Sequence, residues 1–226
     1  PFRMSLFDRD KSADRLPLSI VTGFLGSGKT TLLNHLLRHP GMAETAVIIN
    51  EFGEIGLDHL LVERVDGDMV VMASGCLCCT IRNDLETTLR GLLARVDSGE
   101  IPPFRRILIE TTGLADPAPI VQMLLNNPMV CHWIRLDAVV TTVDAVHGAR
   151  QLDEQPEPLK QVAMADRLVL TKTDLSEPGA DLLAWIARLN PRARLLDAAR
   201  GEAVPAALME AGVINSHTRE AQLAAW

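Results

Sequence analysis

The chain contains Gly23-Phe24-Leu25-Gly26-Ser27-Gly28-Lys29-Thr30, which fits the pattern G-x-x-x-x-G-K-[ST]. The apolar run Leu18–Val21 before it predicts a buried strand, and Thr31–Leu37 after it predicts an amphipathic helix. Glycines allow backbone N–H groups to surround a phosphate at the start of such a helix. The pattern and its flanks therefore predict a phosphate-binding loop in preference to a chance glycine turn.

The residue types in this loop indicate how a nucleotide would be held. Lys29 would bring positive charge to the β- and γ-phosphate oxygens, and the Thr30 hydroxyl would ligate Mg²⁺. We count Lys29 among the catalytic residues. Further nucleotide contacts are expected from the rest of the motif and the residue after it, namely Gly23, Gly26, Ser27, Gly28 and Thr31.

The rest of the chain alternates short apolar runs with amphipathic segments. The runs predict strands at Leu18–Val21, Ala46–Ile49, Met69–Met72, Arg106–Ile109, Ala138–Val143, Leu168–Leu170 and Ala193–Leu196, and the segments predict helices at Leu85–Val96, Ile120–Leu125 and Leu182–Leu189. This alternation predicts an α/β fold with a doubly wound, mostly parallel sheet flanked by helices. Ligands bind such sheets beyond the carboxyl ends of the strands, so we expect function in the loops that follow them.

Composition limits the classes of protein to which the chain can belong. Its 226 residues, 47% of them hydrophobic, suffice for one core, and we expect an extension at residues 1–16 and a single domain at residues 17–226. A net charge of −7 without a run of Lys or Arg argues against nucleic acid or an anionic membrane as the main partner. With no apolar run of membrane-spanning length and no signal-peptide core, we expect a soluble, cytoplasmic protein.

Two further motifs follow predicted strands. Glu110-Thr111-Thr112-Gly113 places an acid at the Walker B position, where Glu110 would help hold Mg²⁺ or order the attacking water and the Gly113 N–H would sense the γ-phosphate. Thr171-Lys172-Thr173-Asp174 fits the guanine-reading pattern [NT]-K-x-D. Asp174 would accept two N–H bonds from guanine, and the Lys172 stem would pack along the base. This motif favours GTP over ATP.

The segment Asn50–Asp58 follows the Ala46–Ile49 strand in the position of a switch I loop. Its three carboxylates, Glu51, Glu54 and Asp58, could respond to a γ-phosphate, although a polar loop ending a strand is the simpler alternative. We expect Asp58 or Glu51 to lie near Mg²⁺, and the residues themselves do not decide between them. Asp58 is therefore a candidate catalytic residue and Glu51 a candidate Mg²⁺ ligand.

Cys76, Cys78 and Cys79 form a thiol cluster, predicted in a loop between the Met69–Met72 strand and a helix beginning near Thr80. Positive charge at the helix start would favour thiolates, which bind Zn²⁺ above all, with Co²⁺ or Cu(I) as alternatives. A nearby carboxylate such as Glu54, a water or a receiving protein could fill a fourth position. Simple packing and a redox pair remain open. The fourth cysteine, Cys131, stands alone, and the histidines lack metal-binding spacing, His147 lying nearest a functional edge.

Taken in order, these motifs resemble the CobW family of P-loop GTPases over roughly Pro17 to Asp174. The residues that match are the G-x-x-x-x-G-K-T loop, Asn50-Glu51-Phe52-Gly53, Gly75-Cys76-Leu77-Cys78-Cys79, Glu110–Pro117 and Thr171–Asp174. The resemblance implies that GTP binding and hydrolysis are coupled to metal delivery, with the three cysteines holding the cargo. Members of the family usually have a further C-terminal domain, which this chain does not include.

Two functions from different classes follow as hypotheses. The first is a slow GTPase that binds Mg²⁺ and GTP, takes up a transition metal, most readily zinc, and delivers it to a client metalloprotein, either alone or as a homodimer. The second is a GTP-switched binding module whose cysteines act as a redox sensor or a static structural site. An ATP-dependent small-molecule kinase is disfavoured by Thr171-Lys172-Thr173-Asp174.

Overall fold

The computed structural model describes residues 15–50 and 85–209, and between them the backbone strands 62–66, 69–72 and 77–80. These residues form a nine-stranded sheet with the order β3-β4-β5-β2-β6-β1-β7-β8-β9. The strands are β1 (Leu16–Gly23), β2 (Thr45–Asn50), β3 (Val62–Asp66), β4 (Met69–Met72), β5 (Leu77–Thr80), β6 (Arg106–Thr111), β7 (Ile134–Asp144), β8 (Arg167–Thr171) and β9 (Arg194–Asp197). Seven strands from β5 to β9 in this order are parallel, and β3 and β4 extend the sheet as antiparallel neighbours.

Helices connect the parallel strands. They are α1 (Lys29–Leu37), α2 (Leu85–Asp97), α3 (Ala118–Asn126), α4 (Pro128–Trp133), α5 (Gly148–Glu154), α6 (Pro156–Met164), α7 (Ala180–Leu189) and α8 (Pro205–Leu208), with a 3-10 turn at Pro40–Met42. None of the helices in the described part of the chain has the length and apolar character needed to cross a lipid bilayer.

Strands β1, β2, β6, β7 and β8 are buried on both faces, which explains why they are almost continuously apolar. Neighbouring residues of one strand enter different clusters: Val21 packs with Leu33 and Leu36 of α1, whereas Ile20 packs with Leu89 of α2 and Val121 of α3. A third cluster joins β8 to α5, α6 and α7. Because successive side chains of a strand point to opposite faces, this alternation produces the predicted doubly wound arrangement.

The sequence prediction of a mostly parallel α/β sheet is confirmed, with differences at particular elements. All seven predicted strands and all four predicted helices are present, and β1 begins at Leu16, one residue inside the predicted extension. The prediction that Cys78 and Cys79 lie in a loop before a helix near Thr80 is wrong, whereas Cys76 lies outside the described residues. Leu77–Thr80 form β5, because their backbone pairs with β2 on one side and β4 on the other, and the helix begins at Leu85.

The topology brings several motifs to one edge of the sheet. β1 lies between β6 and β7 and is parallel to both, so the residues that follow Gly23, Thr111 and Asp144 leave the sheet side by side. Thr171 at the end of β8 and Asp197 at the end of β9 continue this edge. The predicted phosphate-binding and base-reading segments are therefore neighbours in space.

Candidate functional site

The predicted phosphate-binding loop connects β1 to α1 and depends on glycine. Gly23, Gly26 and Gly28 have φ angles of +144°, +70° and +89°, which strain any residue with a side chain. A Cβ at Gly23 would also collide with Thr142, and one at Gly28 would lie 3.3 Å from Thr171 Cγ2. Glycine thus serves both the curvature of the loop and its close packing on β7 and β8.

Lys29 and Thr30 form the first residues of α1 and bring their polar atoms to the loop. The buried Lys29 donates from Nζ to the Phe24 carbonyl at 3.2 Å, and the Thr30 hydroxyl donates to Glu110 Oε1 at 2.7 Å. Glu110 is only 1% exposed, so its carboxylate is not a solvated side chain in a turn. A hydroxyl and a carboxylate in contact supply the hard oxygen donors that Mg²⁺ prefers, so this pair fits that ion.

The loop after β6 lies directly against the phosphate-binding loop. Gly113 is buried, and a Cβ added there would lie 2.7 Å from the Leu25 backbone nitrogen and 2.9 Å from the Leu25 Cα. Only glycine allows the two loops to approach this closely. The structure therefore places Gly113, predicted to sense the γ-phosphate, in contact with the loop predicted to hold it.

The predicted base-reading segment is fixed by a buried carboxylate at the end of β7. Lys172, which adopts a left-handed backbone conformation with φ of 60°, donates from Nζ to Asp144 Oδ2 at 2.6 Å. Asp144 also accepts from His147 Nδ1 at 3.0 Å and from the backbone N–H groups of Val146 and His147. Burial acts to raise the pKa of Asp144, but these hydrogen bonds outweigh it and hold the pKa below its ordinary value.

A second carboxylate supports the neighbouring residue of the same segment. Thr173 donates its hydroxyl to Asp197 Oδ1 at 2.6 Å, and the same oxygen accepts the backbone N–H groups of Ala199 and Arg200. Desolvation opposes ionisation of Asp197, yet these bonds and the nearby Arg200 lower its pKa overall. Asp174 itself is exposed at the rim, where its carboxylate is open to a ligand.

Hydroxyl contacts join the phosphate-binding loop to the base-reading segment. Thr171 donates to the Ser27 carbonyl at 2.8 Å, and the Ser27 hydroxyl lies 2.6 Å from Thr142 Oγ1. Ser27 and Thr171 are both buried. Residues that sequence reasoning predicted for the two ends of a nucleotide thus belong to one connected structure.

The remaining predicted site residues divide by location. Thr31 is exposed on α1. Glu51, Glu54, Asp58 and Cys76 lie outside the described residues, and Cys78 and Cys79 are backbone positions of β5, beside Val47 and Ile48 of β2. Within the described part of the chain, no group of three or more His, Cys, Asp or Glu side chains is arranged to hold a metal.

Three residues of the site were not selected from the sequence: Asp144, Asp197 and the buried Gln161 of α6. Asp144 and Asp197 share one signal that could have found them, since each ends an apolar run predicted to be a parallel strand. Gln161 offers no such signal, because it lies inside a helix and contacts the Gly113 loop only in the folded chain.

The family model described as "CobW/HypB/UreG, nucleotide-binding domain" matches residues 17–197. The chain belongs to this family. Its curated relatives include the zinc chaperone YjiA of Escherichia coli, 40% identical over 187 residues that cover 83% of this chain and 58% of the relative. The zinc chaperone CobW of Pseudomonas aeruginosa is 38% identical, over 85% of this chain and 59% of that protein.

Solved structures of the family agree with the fold. The crystal structure of Zn(II)-bound YjiA GTPase from E. coli has a TM-score of 0.74 and 38% identity, covering 88% of this chain and 63% of that chain. HypB from Helicobacter pylori in complex with nickel has a TM-score of 0.57 at 16% identity, covering 85% of this chain and 83% of that one, a likeness of fold alone. The chain spans about 58% to 63% of the length of YjiA in these two comparisons.

Proposed function

We propose that this chain binds GTP with Mg²⁺, hydrolyses it slowly, and binds a zinc ion that it delivers to a client metalloprotein. The observation that supports GTP binding most directly is the hydrogen bond from Thr171 to the Ser27 carbonyl, 2.8 Å long. It joins the start of Thr171-Lys172-Thr173-Asp174 to the phosphate-binding loop, as simultaneous binding of a guanine base and its phosphates requires. The names of the curated relatives support zinc as the metal.

The residues at the sheet edge suit distinct steps of phosphate transfer. The loop's backbone N–H groups would surround the phosphates, while Lys29 would leave the Phe24 carbonyl to neutralise charge on the β- and γ-oxygens. Thr30 and Glu110 would hold Mg²⁺, which when bound draws charge from the phosphate oxygens. Glu110 would also order the attacking water, and the Gly113 N–H would contact the γ-phosphate. Asp58 and Glu51 remain candidates for further contacts to this centre.

At the other end of the nucleotide, Asp174 would accept the two N–H groups of guanine, with the stem of Lys172 along the base. Replacing Asp174 with Asn should weaken GDP binding by about 100-fold and shift preference toward xanthine nucleotides, since one acceptor becomes a donor. Asp181→Asn, at an exposed site on α7, is the matched control. Calorimetric titration with GDP and XDP tests this, and unchanged GDP affinity in Asp174→Asn would remove the base-reading role.

For the metal, we propose Cys76, Cys78 and Cys79 as ligands, with Glu54 a candidate for the fourth position. Thiolates and a carboxylate are ordinary ligands of zinc. Register gives the physical basis for coupling: Thr80 at the end of β5 pairs with Ile49 of β2, which pairs with Glu110 of β6. Two interstrand steps of about 4.8 Å separate Thr80 from Glu110, so the backbone of Thr80, which directly follows Cys79, lies roughly 10 Å from that of Glu110.

The test of the metal site uses Cys76→Ser with Cys78→Ser against Cys131→Ser. Zinc affinity, measured by chelator competition with a GTP analogue and Mg²⁺, should fall by orders of magnitude in the double variant, because a hydroxyl ligates zinc poorly. Cys131 is a suitable control: burial raises the pKa of its thiol, which donates to the Leu124 carbonyl at 3.0 Å. A double variant that keeps one tight zinc would refute the cysteine site. A disulfide under mild oxidant, without zinc uptake, would favour the redox-sensing module.

A further inference from the structure

Helix α6 contacts the Gly113 loop through a glutamine that is completely buried. Gln161 is 0% exposed, and its side-chain Nε2 donates to the Gly113 carbonyl at 3.1 Å and to the Ala115 carbonyl at 3.0 Å. Both donor hydrogens of one amide are therefore directed at the same loop. The backbone of this residue is fixed as well, because its carbonyl accepts the Thr141 hydroxyl at 2.9 Å.

The adjacent residue adds a third bond between the same helix and the same loop. Lys160 Nζ lies 2.9 Å from Asp116 Oδ2, and Asp116 Oδ1 accepts the Ala118 N–H at the start of α3. The hydrogen bond that Lys160 donates to Asp116 raises the pKa of Lys160. Hydrogen bonds from α6 thus hold both ends of residues 113 to 116, with Gln161 at Gly113 and Lys160 at Asp116.

Gly113 is confined from the opposite side by the phosphate-binding loop. The backbone of Leu25 lies so close that a Cβ on Gly113 would come within 2.7 Å of the Leu25 nitrogen. Glycine has no side chain of its own to fix its peptide planes, so its orientation depends on what its backbone contacts. Leu25 packs on one side of Gly113 and Gln161 bonds its carbonyl from the other, so Gln161 restrains the peptide plane that joins Gly113 to Leu114.

The end of α6 from which Gln161 extends is itself held in place. Asn190, after α7, donates from Nδ2 to the carbonyls of Val162 at 2.9 Å and Ala165 at 2.8 Å. Both carbonyls lie at the end of α6: that of Val162 also accepts the Ala165 N–H at 3.3 Å, and that of Ala165 lies just past the last helical residue, Met164. Asn190 therefore makes the base of the Gln161 contact rigid, and a displacement of the Gly113 loop cannot be absorbed by fraying of α6.

Packing alone does not account for a glutamine at this position. The neighbouring Val162 and Met164 are apolar core residues, and Gln161 Oε1 is buried without a hydrogen-bond partner among the described residues. Burying an unpartnered polar atom costs free energy that a methionine of similar size would avoid. The two hydrogen bonds that Nε2 donates to the Gly113 loop offset this cost.

We propose that Gln161 is a positioning residue for the γ-phosphate: it holds the Gly113 loop in the orientation that distinguishes GTP from GDP, with Lys160 assisting. This inference rests on the proposed GTP-binding function. Gln161 touches neither the phosphates nor the reacting atoms. It acts on the loop whose N–H would contact the γ-phosphate, so its effect should be confined to nucleotides that have one.

The test compares Gln161→Met with Gln151→Met. Gln151 lies on α5, is partly buried, and takes no part in the hydrogen bonds that α6 makes to this loop. Dissociation constants for GDP and for a non-hydrolysable GTP analogue are measured with Mg²⁺, together with the single-turnover rate of GTP hydrolysis. In Gln161→Met the analogue should bind about tenfold more weakly and hydrolysis should slow about tenfold, as expected for two lost hydrogen bonds, while GDP affinity changes by less than about twofold. Gln151→Met should match the unmodified chain.

A purely structural role would weaken GDP and the analogue equally, and that result, or no change in either, would overturn the proposal. If Gln161→Met does not fold, Lys160→Met replaces it. Lys160 is 42% exposed, and its loss should weaken the analogue about twofold to threefold without affecting GDP. If Lys160→Met then leaves the affinities for both GDP and the analogue unchanged, the proposal is refuted. Failure of the unmodified chain to bind any guanine nucleotide would instead refute the proposed function, so the two failures are distinguishable.

Discussion

Replacing Asp144 with Asn should weaken guanine-nucleotide binding, although Asp144 would not touch the nucleotide. The side chain of Asp144 is 2% exposed, and its Oδ2 lies 2.6 Å from Lys172 Nζ. Asparagine has the same shape and keeps Oδ1, which accepts the Val146 and His147 backbone N–H groups. Its amide nitrogen, however, would face the Lys172 ammonium, so the ion pair is lost while the turn is retained.

The structure sets the size of this effect. A hydrogen bond between charged groups contributes about 1.5 to 3 kcal/mol. Lys172 is 32% exposed, so water screens the pair and the lower end of that range applies. If the ion pair holds the Lys172 stem where a base packs, its loss should cost about 1.5 kcal/mol of binding, or roughly tenfold in the dissociation constant.

The assay is a double-mutant cycle on GDP affinity, measured by calorimetric titration of the unmodified chain, Asp144→Asn, Lys172→Met and the double variant. If Asp144 acts through Lys172, Asp144→Asn should cost about tenfold alone and less than about twofold when Lys172 is already methionine. His147→Ala is the control on the same carboxylate, since His147 is 51% exposed and its contact should matter by less than about twofold. Additive effects of the two substitutions would refute the reasoning.

Three further outcomes can be checked on the same chain. Gly113→Ala should slow GTP turnover by roughly tenfold or more, because the new Cβ would collide with Leu25. Gly91→Ala on α2 is the control: its Cβ would have nothing within 4 Å, so turnover should stay unchanged and the melting temperature should rise. Asn190→Ala should lower the free energy of unfolding in urea by about 2 to 3 kcal/mol, since carbonyls at the end of α6 lose their buried partner; a loss within 0.5 kcal/mol, about the size of a neutral surface change, would contradict this. The lowered pKa of Asp197 means that its ionised form stabilises the fold above the unfolded carboxyl pKa of about 3.9, and that this contribution is lost as pH falls through the lower folded value. Asp197→Asn should therefore reduce the loss of unfolding free energy below about pH 4. The same loss in both proteins at acid pH would argue against this role.

Local sequence predicted those parts of the site that depend on short segments. The glycine loop, Glu110 and the Lys172 segment each consist of neighbouring residues after an apolar run, so strand, turn and chemistry are visible together. The parallel sheet followed from the same alternation. These predictions concern what one stretch of chain can do by itself, and the structure shows the three segments at the ends of β1, β6 and β8.

Contacts between distant segments could not be predicted in this way. Gln161 and Gly113 are 48 residues apart, and nothing in α6 indicates that its glutamine faces a loop instead of solvent. The helix itself was not predicted, because Pro156 and Pro158 resemble a loop or a helix start. β5 was missed for a related reason: Leu77–Thr80 is short, and its strand conformation comes from pairing with two neighbours that the chain reaches by different routes.

The strands on the two sides of β1 are joined to the proposed nucleotide site by different kinds of contact. This difference limits how the proposed metal site could respond to the bound nucleotide. On the β7 and β8 side, hydroxyl and carboxylate groups connect the loops directly, as between Thr171 and Ser27. On the other side, the path from Glu110 to Thr80 runs through paired backbones of β6, β2 and β5. Paired strands do not slide, because a one-residue shift would move each side chain of β2 and β6 from its own hydrophobic cluster to the one on the opposite face of the sheet. The distance between these two positions is therefore fixed, so a response of the proposed zinc site to the nucleotide would have to pass through the segments that connect the strands.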